Sequence, residues 1–208
     1  MRYDLITLSR EFGAGARELA ALLGDALGWR VLDADIALNV ANRLGLERSS
    51  LAQWDEHAPS LLETLGRSML IGTPELPITA AMAARPAAGD VAAATRAVLE
   101  EAAAAPPVII VGHGAQAIFA QRPRTLRIRL VAPLADRSRR IARRLGLSEK
   151  DATELARHFD RDRAHYVKEF IGRDVSDPLL YTWQVNTAEV SLPEIVPIVQ
   201  LMLAERTS

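Results

Sequence analysis

The 208-residue chain sets 25 basic against 26 acidic side chains, a formal net charge of −1, with 49% hydrophobic residues. That is ordinary for one globular domain with a full core, and it gives no global pull toward nucleic acid or an anionic membrane. The absence of cysteine excludes a disulfide scaffold and thiolate chemistry and disfavours structural zinc. No apolar run reaches membrane-spanning length, and "MRYDLITLSRE" has neither the charged lead nor the cleavage site of a signal peptide. The expectation is a cytoplasmic protein without nucleic-acid or membrane partners, with homo-oligomerisation left open.

In chain order, Leu5–Leu8 reads as a buried strand and Arg17–Leu27 as a helix with Leu19, Leu22, Leu23, Ala26 and Leu27 on one face, stopped by Gly28. "WRVLD" is a short second strand, followed by a helix over Ile36–Leu44. Ser49 or Ser50 caps a helix through His57, and Pro59 starts another to about Met69. Between Leu70 and Asp90 prolines, glycines and alanines follow no strong period, which predicts a loop or a mobile segment. Val91–Ala105 is an alanine-rich helix and "PPVIIVG" the clearest buried strand. "LRIRLVA" is a fourth strand, and helices cover Leu134–Leu145 and Ser148–Phe170. "LYTWQVN" is a fifth strand, before a last helix opened by a Ser191–Glu194 capping box. Strands alternating with helices imply an α/β fold whose mostly parallel, five-stranded sheet is covered on both faces.

The segment "SREFGAGAREL", Ser9 to Leu19, joins the first strand to the first helix. A glycine turn at this junction holds phosphates through converging backbone N–H groups and the helix N-terminus behind them. In the register of GxxxxGK[ST], Gly13 and Gly15 supply the glycine-x-glycine. Arg10 then stands for the first glycine, Ala16 for the lysine and Arg17 for the hydroxyl that ligates magnesium. Backbone cradling survives these changes. Arg17, with Arg10, can return positive charge but no hydroxyl ligand. By spacing alone an ordinary turn explains the loop as well.

Taken in order, "ITLSREFGAGARELAALLGDALGW", "VLDADI", "VIIVGHGAQAIF", "LRIRLVAPLADRSRRIARR", "DRDRAHYVKEFIG" and "DPLLYTWQVNT" resemble the cytidylate kinase-like family, a branch of the P-loop nucleoside monophosphate kinases. Both ends of the chain carry the resemblance, which leaves mainly 46–107 outside any motif. The family commonly has a "SREFGSGGRE"-type loop, so the missing lysine is a family trait. The resemblance implies a single three-layer P-loop kinase domain over 1–208, with a helical acceptor-binding insertion at about 46–90 and an arginine-bearing lid at about 137–173. It implies ATP and Mg²⁺ as cofactors, nucleotide substrates, and transfer of a phosphoryl group from ATP to a nucleoside monophosphate, CMP or dCMP favoured.

The implied donor site comprises Arg10, Glu11, Phe12, Gly13, Ala14, Gly15, Ala16 and Arg17, with Arg139 and Arg143 of the lid and Asn186 and Thr187 of "QVNT". Arg17, Arg161 and Arg163 are the expected catalytic cations, since phosphoryl transfer requires developing charge to be neutralised. Arg139, Arg140, Arg143 and Arg144 share a broad helix face, and Asp162 is expected to orient a guanidinium beside the acceptor. Asp33, Asp35 and His113 are the other candidate acceptor residues. His113 and Gly114 replace the arginine and aspartate of the "GRD" of true cytidylate kinases, which puts cytidine specificity in question. Each motif has a plain counterpart: Asp35 as a helix cap, Asn186 and Thr187 as a turn, the arginines as a solvated helix face. The histidines show no metal-ligand spacing, so no protein metal site is expected. Two other functions stay open, a nucleotide-binding sensor or scaffold without turnover and a kinase of a non-nucleotide small acceptor.

Overall fold

The structure, a computed structural model, describes residues 2–45 and 88–204. Five strands, β1 (Leu5–Arg10), β2 (Arg30–Leu32), β3 (Val108–Val111), β4 (Thr125–Val131) and β5 (Trp183–Asn186), form one sheet in the order β2-β3-β1-β4-β5. Every pairing is parallel, with β1 at the centre: Leu5 sits opposite Val108 of β3 and Thr125 of β4. A parallel strand covered on both faces reads as an unbroken apolar run, which is why "LITL" and "VIIV" show no alternation.

Period two divides these strands between two cores. Ile6, Leu8, Ile109, Leu126 and Ile128 face helix α1 (Ala16–Leu27) and helix α7 (Leu192–Leu203), where Leu19, Leu23, Ile195 and Val199 close the layer. Leu5, Val108 and Ile110 face helices α2 (Ala34–Arg43) and α3 (Ala88–Ala103) through Ile36, Val40, Val98 and Leu99. A short helix α4 (Ala115–Ile118) follows β3. Helices α5 (Leu134–Leu145) and α6 (Glu149–Ile171) form a hairpin whose own small core of Ile141, Ala152, Ala156 and Phe159 includes Phe12 from the loop after β1. That third core fixes the arginine-rich hairpin over the carboxyl end of β1.

Three elements depart from expectation. Helix α3 starts at Ala88, three residues before Val91, inside the stretch expected to be irregular. The fifth strand is confined to Trp183–Asn186, because Asp177 caps a 3-10 turn over Pro178–Leu180 by accepting the Leu179 amide at 2.9 Å. Helix α4 was not expected, since four residues are too few to show a helical period. The helices expected at 49–57 and 59–69, and residues 70–87, lie outside the described residues. No described helix is long and apolar enough to cross a membrane.

Candidate active site

The loop after β1 turns twice through left-handed backbone, at Gly13 (φ 85°) and Gly15 (φ 90°). A side chain is disfavoured there by conformation and by space. A Cβ on Gly13 would sit 2.9 Å from Ile141 Cδ1, and one on Gly15 2.9 Å from Leu192 Cδ1. The two turns deliver the chain into α1, whose first amides have no acceptor within the helix. Ala14 is fully buried beneath the loop. Above it opens a cleft of about 1030 Å³, lined by Arg10, Phe12, Gly13, Gly15, Ala16 and Arg17 from this segment.

Arginines line the cleft together with the carboxylates of Glu11, Glu18, Asp33, Glu189 and Glu194, and Arg144 stands 3.5 Å from Glu18. Arg140, Arg143 and Arg144 project from α5 and Arg163 from α6. The ring of Phe12 carries the Arg163 guanidinium 5.4 Å from its centroid and that of Arg144 at 5.9 Å. Arg140 donates through Nη1 to Thr187 Oγ1 at 2.9 Å and through Nη2 to the Thr187 carbonyl, tying α5 to the loop after β5. Arg17 donates to Asp33 Oδ2 at 2.7 Å, across from α1 to the start of α2. The other Asp33 oxygen, Oδ1, is buried and has no hydrogen-bond partner among the described residues.

Several expected site residues lie elsewhere. Glu11 borders the cleft, but its carboxylate accepts the Ala132 amide at 3.1 Å and stands 3.3 Å from Arg137, so it braces the loop. Arg139 pairs with Asp136 on its own helix, and neither it nor the exposed Arg161 lines the cleft. Asp162 stands 3.3 Å from His158 one turn back, and orienting a lid guanidinium falls instead to Asp160, 3.7 Å from Arg163. Asn186 closes an Asx turn by accepting the Ala188 amide at 3.0 Å, whereas Thr187 does line the cleft. Asp35 is exposed in the first turn of α2.

The turn after β3 is built differently. Arg10 lies so close over Gly112 that a Cβ there would be 1.7 Å from Nη1. His113 adopts a φ of 57° and its Nδ1 is 3.0 Å from the Val111 carbonyl oxygen, so the imidazole folds back on its own strand and outside the cleft lining. Gly114 packs against Ile171 at the end of α6.

A sequence model of the cytidylate kinase-like family matches residues 5–189. The chain belongs to the cytidylate kinase-like family. None of the curated proteins compared with it matches. Among solved structures, an uncharacterized protein from Eubacterium ventriosum superposes with a TM-score of 0.67 at 16% identity, covering 97% of this chain and 99% of the other. A shikimate kinase from Acinetobacter baumannii, solved in complex with shikimate, gives 0.53 at 16% identity over 99% and 96% of the two chains. One from Bacteroides thetaiotaomicron also gives 0.53 at 16%, over 96% and 97%. At such identities the likeness is one of fold, that of the P-loop kinases, and with the family it makes this a kinase-type chain.

Within that family frame, four residues of the site escaped the sequence reading. Arg140 and Arg144 were recognised only as part of a helix face, and the side of α5 facing the loop selected them over Arg139. Asp160 and the buried Arg137 carry no sequence signal that separates them from the surrounding charged run. Burial is the distinguishing feature, since Arg137 keeps only 7% of its side chain exposed.

Proposed function

We propose that this protein transfers a phosphoryl group from ATP to a nucleoside monophosphate, with CMP or dCMP favoured by the family resemblance. The observation that carries this reading is the double left-handed glycine loop opening into a cleft flanked by Arg17, Arg140, Arg143, Arg144 and Arg163. Loop amides and the N-terminus of α1 bind the donor phosphates. Arg17, anchored by Asp33, supplies part of the charge that a loop lysine would, and Arg163 faces the transferring group with Arg144 beside it. Arg140 and Thr187 hold the base end of the donor. Arg10, on Gly112, stands between the donor loop and the acceptor edge, where Asp33 faces the cleft, while Asp35 and His113 lie outside its lining. No side-chain base is required, because positioning and charge neutralisation supply most of the catalysis.

The residues also fit magnesium, though not as a protein-only site. Among the described residues no cluster of three or more histidines or carboxylates would hold a metal by itself. Magnesium commonly takes one or two carboxylates plus phosphate oxygens, and the unpartnered Asp33 Oδ1 is such a carboxylate oxygen. Bound there, the ion would supply charge neutralisation on the donor phosphates.

ADP release from ATP and magnesium tests the proposal, run with CMP, dCMP, UMP, AMP, GMP or no acceptor. Turnover selective for one monophosphate is the expected result. Equal background rates across the panel, with ATP still bound, would instead favour a non-nucleotide acceptor. Shikimate is the first such acceptor to try, given the fold shared with the shikimate kinases. Loss of ATP binding as well would sink the kinase reading.

A further inference from the structure

The carboxylate of Asp160 on α6 serves two donors from different elements. Oδ1 accepts the backbone amide of Phe12, in the phosphate loop, at 2.7 Å. Oδ2 accepts from Arg137 Nη1 on α5 at 2.7 Å. Arg137 also donates to the Phe12 carbonyl at 3.0 Å and to the Ala132 carbonyl at 2.9 Å, so Phe12 is held by both its amide and its carbonyl. One helical turn on, Arg163 Nη1 stands 3.7 Å from Asp160 Oδ1. The Phe12 ring stacks on Phe159, the residue before Asp160, with centroids 4.7 Å apart and planes at 27°. Its remaining surface carries the guanidinium groups of Arg163 and Arg144.

We infer that Asp160 is a positioning residue that pins the lid hairpin to the phosphate loop before any nucleotide arrives, and so presets Arg163 and Arg144 as the charges the loop lacks at Ala16. A loop lysine is covalently part of the cradle it serves. An arginine on a separate helix is not, and its placement depends on how firmly that helix is docked. Here the docking contacts are a charge-assisted hydrogen bond to the loop backbone, a buried guanidinium and an aromatic stack, all between residues of this chain. Loop shape and lid position are therefore coupled, and the arginines need little reorganisation when a donor binds. The role assigned to the charges rests on the phosphotransfer reading; the pin itself rests on the contacts alone.

The test separates the two. In the ligand-free protein the Phe12 amide is expected to exchange slowly with solvent, and Asp160→Ala to speed that exchange about tenfold or more. Arg137 retains Glu11 and two carbonyls in this variant, which favours a folded protein. Should Asp160→Ala fail to fold, Asp160→Asn replaces it, keeping the shape and one acceptor while removing the charge facing Arg137 and Arg163. Whichever variant folds is then combined with Arg163→Gln in a double-mutant cycle on turnover, or on ATP affinity if no acceptor supports turnover. The Asp160 substitution is expected to cost about tenfold in the parent and about threefold once Arg163 is absent, the remainder carried by Arg144 and the loop backbone. An unprotected Phe12 amide in the parent protein would overturn the pin. Additive losses in the cycle would overturn the claim that Asp160 acts through Arg163. Absence of turnover with every acceptor, alongside a protected Phe12 and a non-additive ATP-affinity cycle, would refute phosphotransfer and leave the positioning role standing.

Discussion

Two adjacent strands end in similar sequences, "GAG" after β1 and "GHG" after β3, and the molecule uses them in opposite ways. All four glycines have positive φ. After β1 the turns face an open cleft and feed a helix of twelve residues. After β3 the glycines are packed just as closely, Gly112 under the Arg10 guanidinium and Gly114 against Ile171, but neither lines the cleft. A glycine pair marks where backbone must bend or approach closely; what occupies the space it frees is settled by the elements packed around it. Protein side chains close on the glycines of both turns, and in our reading only the first also borders a ligand cleft.

The strongest test of this contrast is Arg137→Ala. It leaves Glu11 and Asp160 without their shared buried cation, and should cost about 2–4 kcal/mol in a thermal or denaturant melt. A loss below about 1 kcal/mol would mean that the hairpin is not held to the first turn by charge.

Arg163→Ala should lower kcat by about 10²–10³-fold with a smaller change in ATP affinity. Arg161→Ala, two residues away but exposed and outside the cleft, should stay within about twofold of the parent. Equal losses in both variants would indicate a general effect of lid charge in place of one placed guanidinium.

Backbone conformation sets the next effect. Gly13→Ala forces an L side chain into φ 85° and toward Ile141, and should weaken ATP binding about tenfold. His113→Ala should leave both ATP affinity and acceptor KM within about twofold, since the imidazole is folded onto β3 outside the cleft. If ATP affinity fell in His113→Ala, the division of labour between the two turns would be wrong.

The smallest effect concerns the capping box of α7, whose Ser191 and Glu194 lie at the cleft rim. Hydrogen bonds from the Ser191 hydroxyl and amide lower the Glu194 pKa below its ordinary 4.5. A lowered carboxylate pKa stabilises the fold above the ordinary value, and that contribution is lost as pH falls through the shifted one. Glu194→Gln should therefore cost a little stability at neutral pH and flatten the acid limb below about pH 4.5, the two proteins converging in acid. An unchanged acid limb would show that the cap is not titrating there.

Sequence determined the sheet because its signal is local. "LITL" and "VIIV" must be buried on both faces wherever they sit, "LRIRLV" on one, and the helices between them require parallel crossovers. Gly13 and Gly15 mark the turn before α1 for the same reason, since backbone conformation depends on the residue itself. Tertiary structure alone chose among the arginines. On α5, Arg137 enters the core while Arg139 pairs with a neighbour in solvent, and Arg140 and Arg144 reach the cleft; all four have the same side chain. Asp160 and Asp162 likewise differ by two positions on one helix, which turns one toward Phe12 and the other toward His158. A charged side chain takes its role from the partner and the dielectric it meets, and for Asp160 and Arg137 that partner is Phe12, 148 and 125 positions away in the chain.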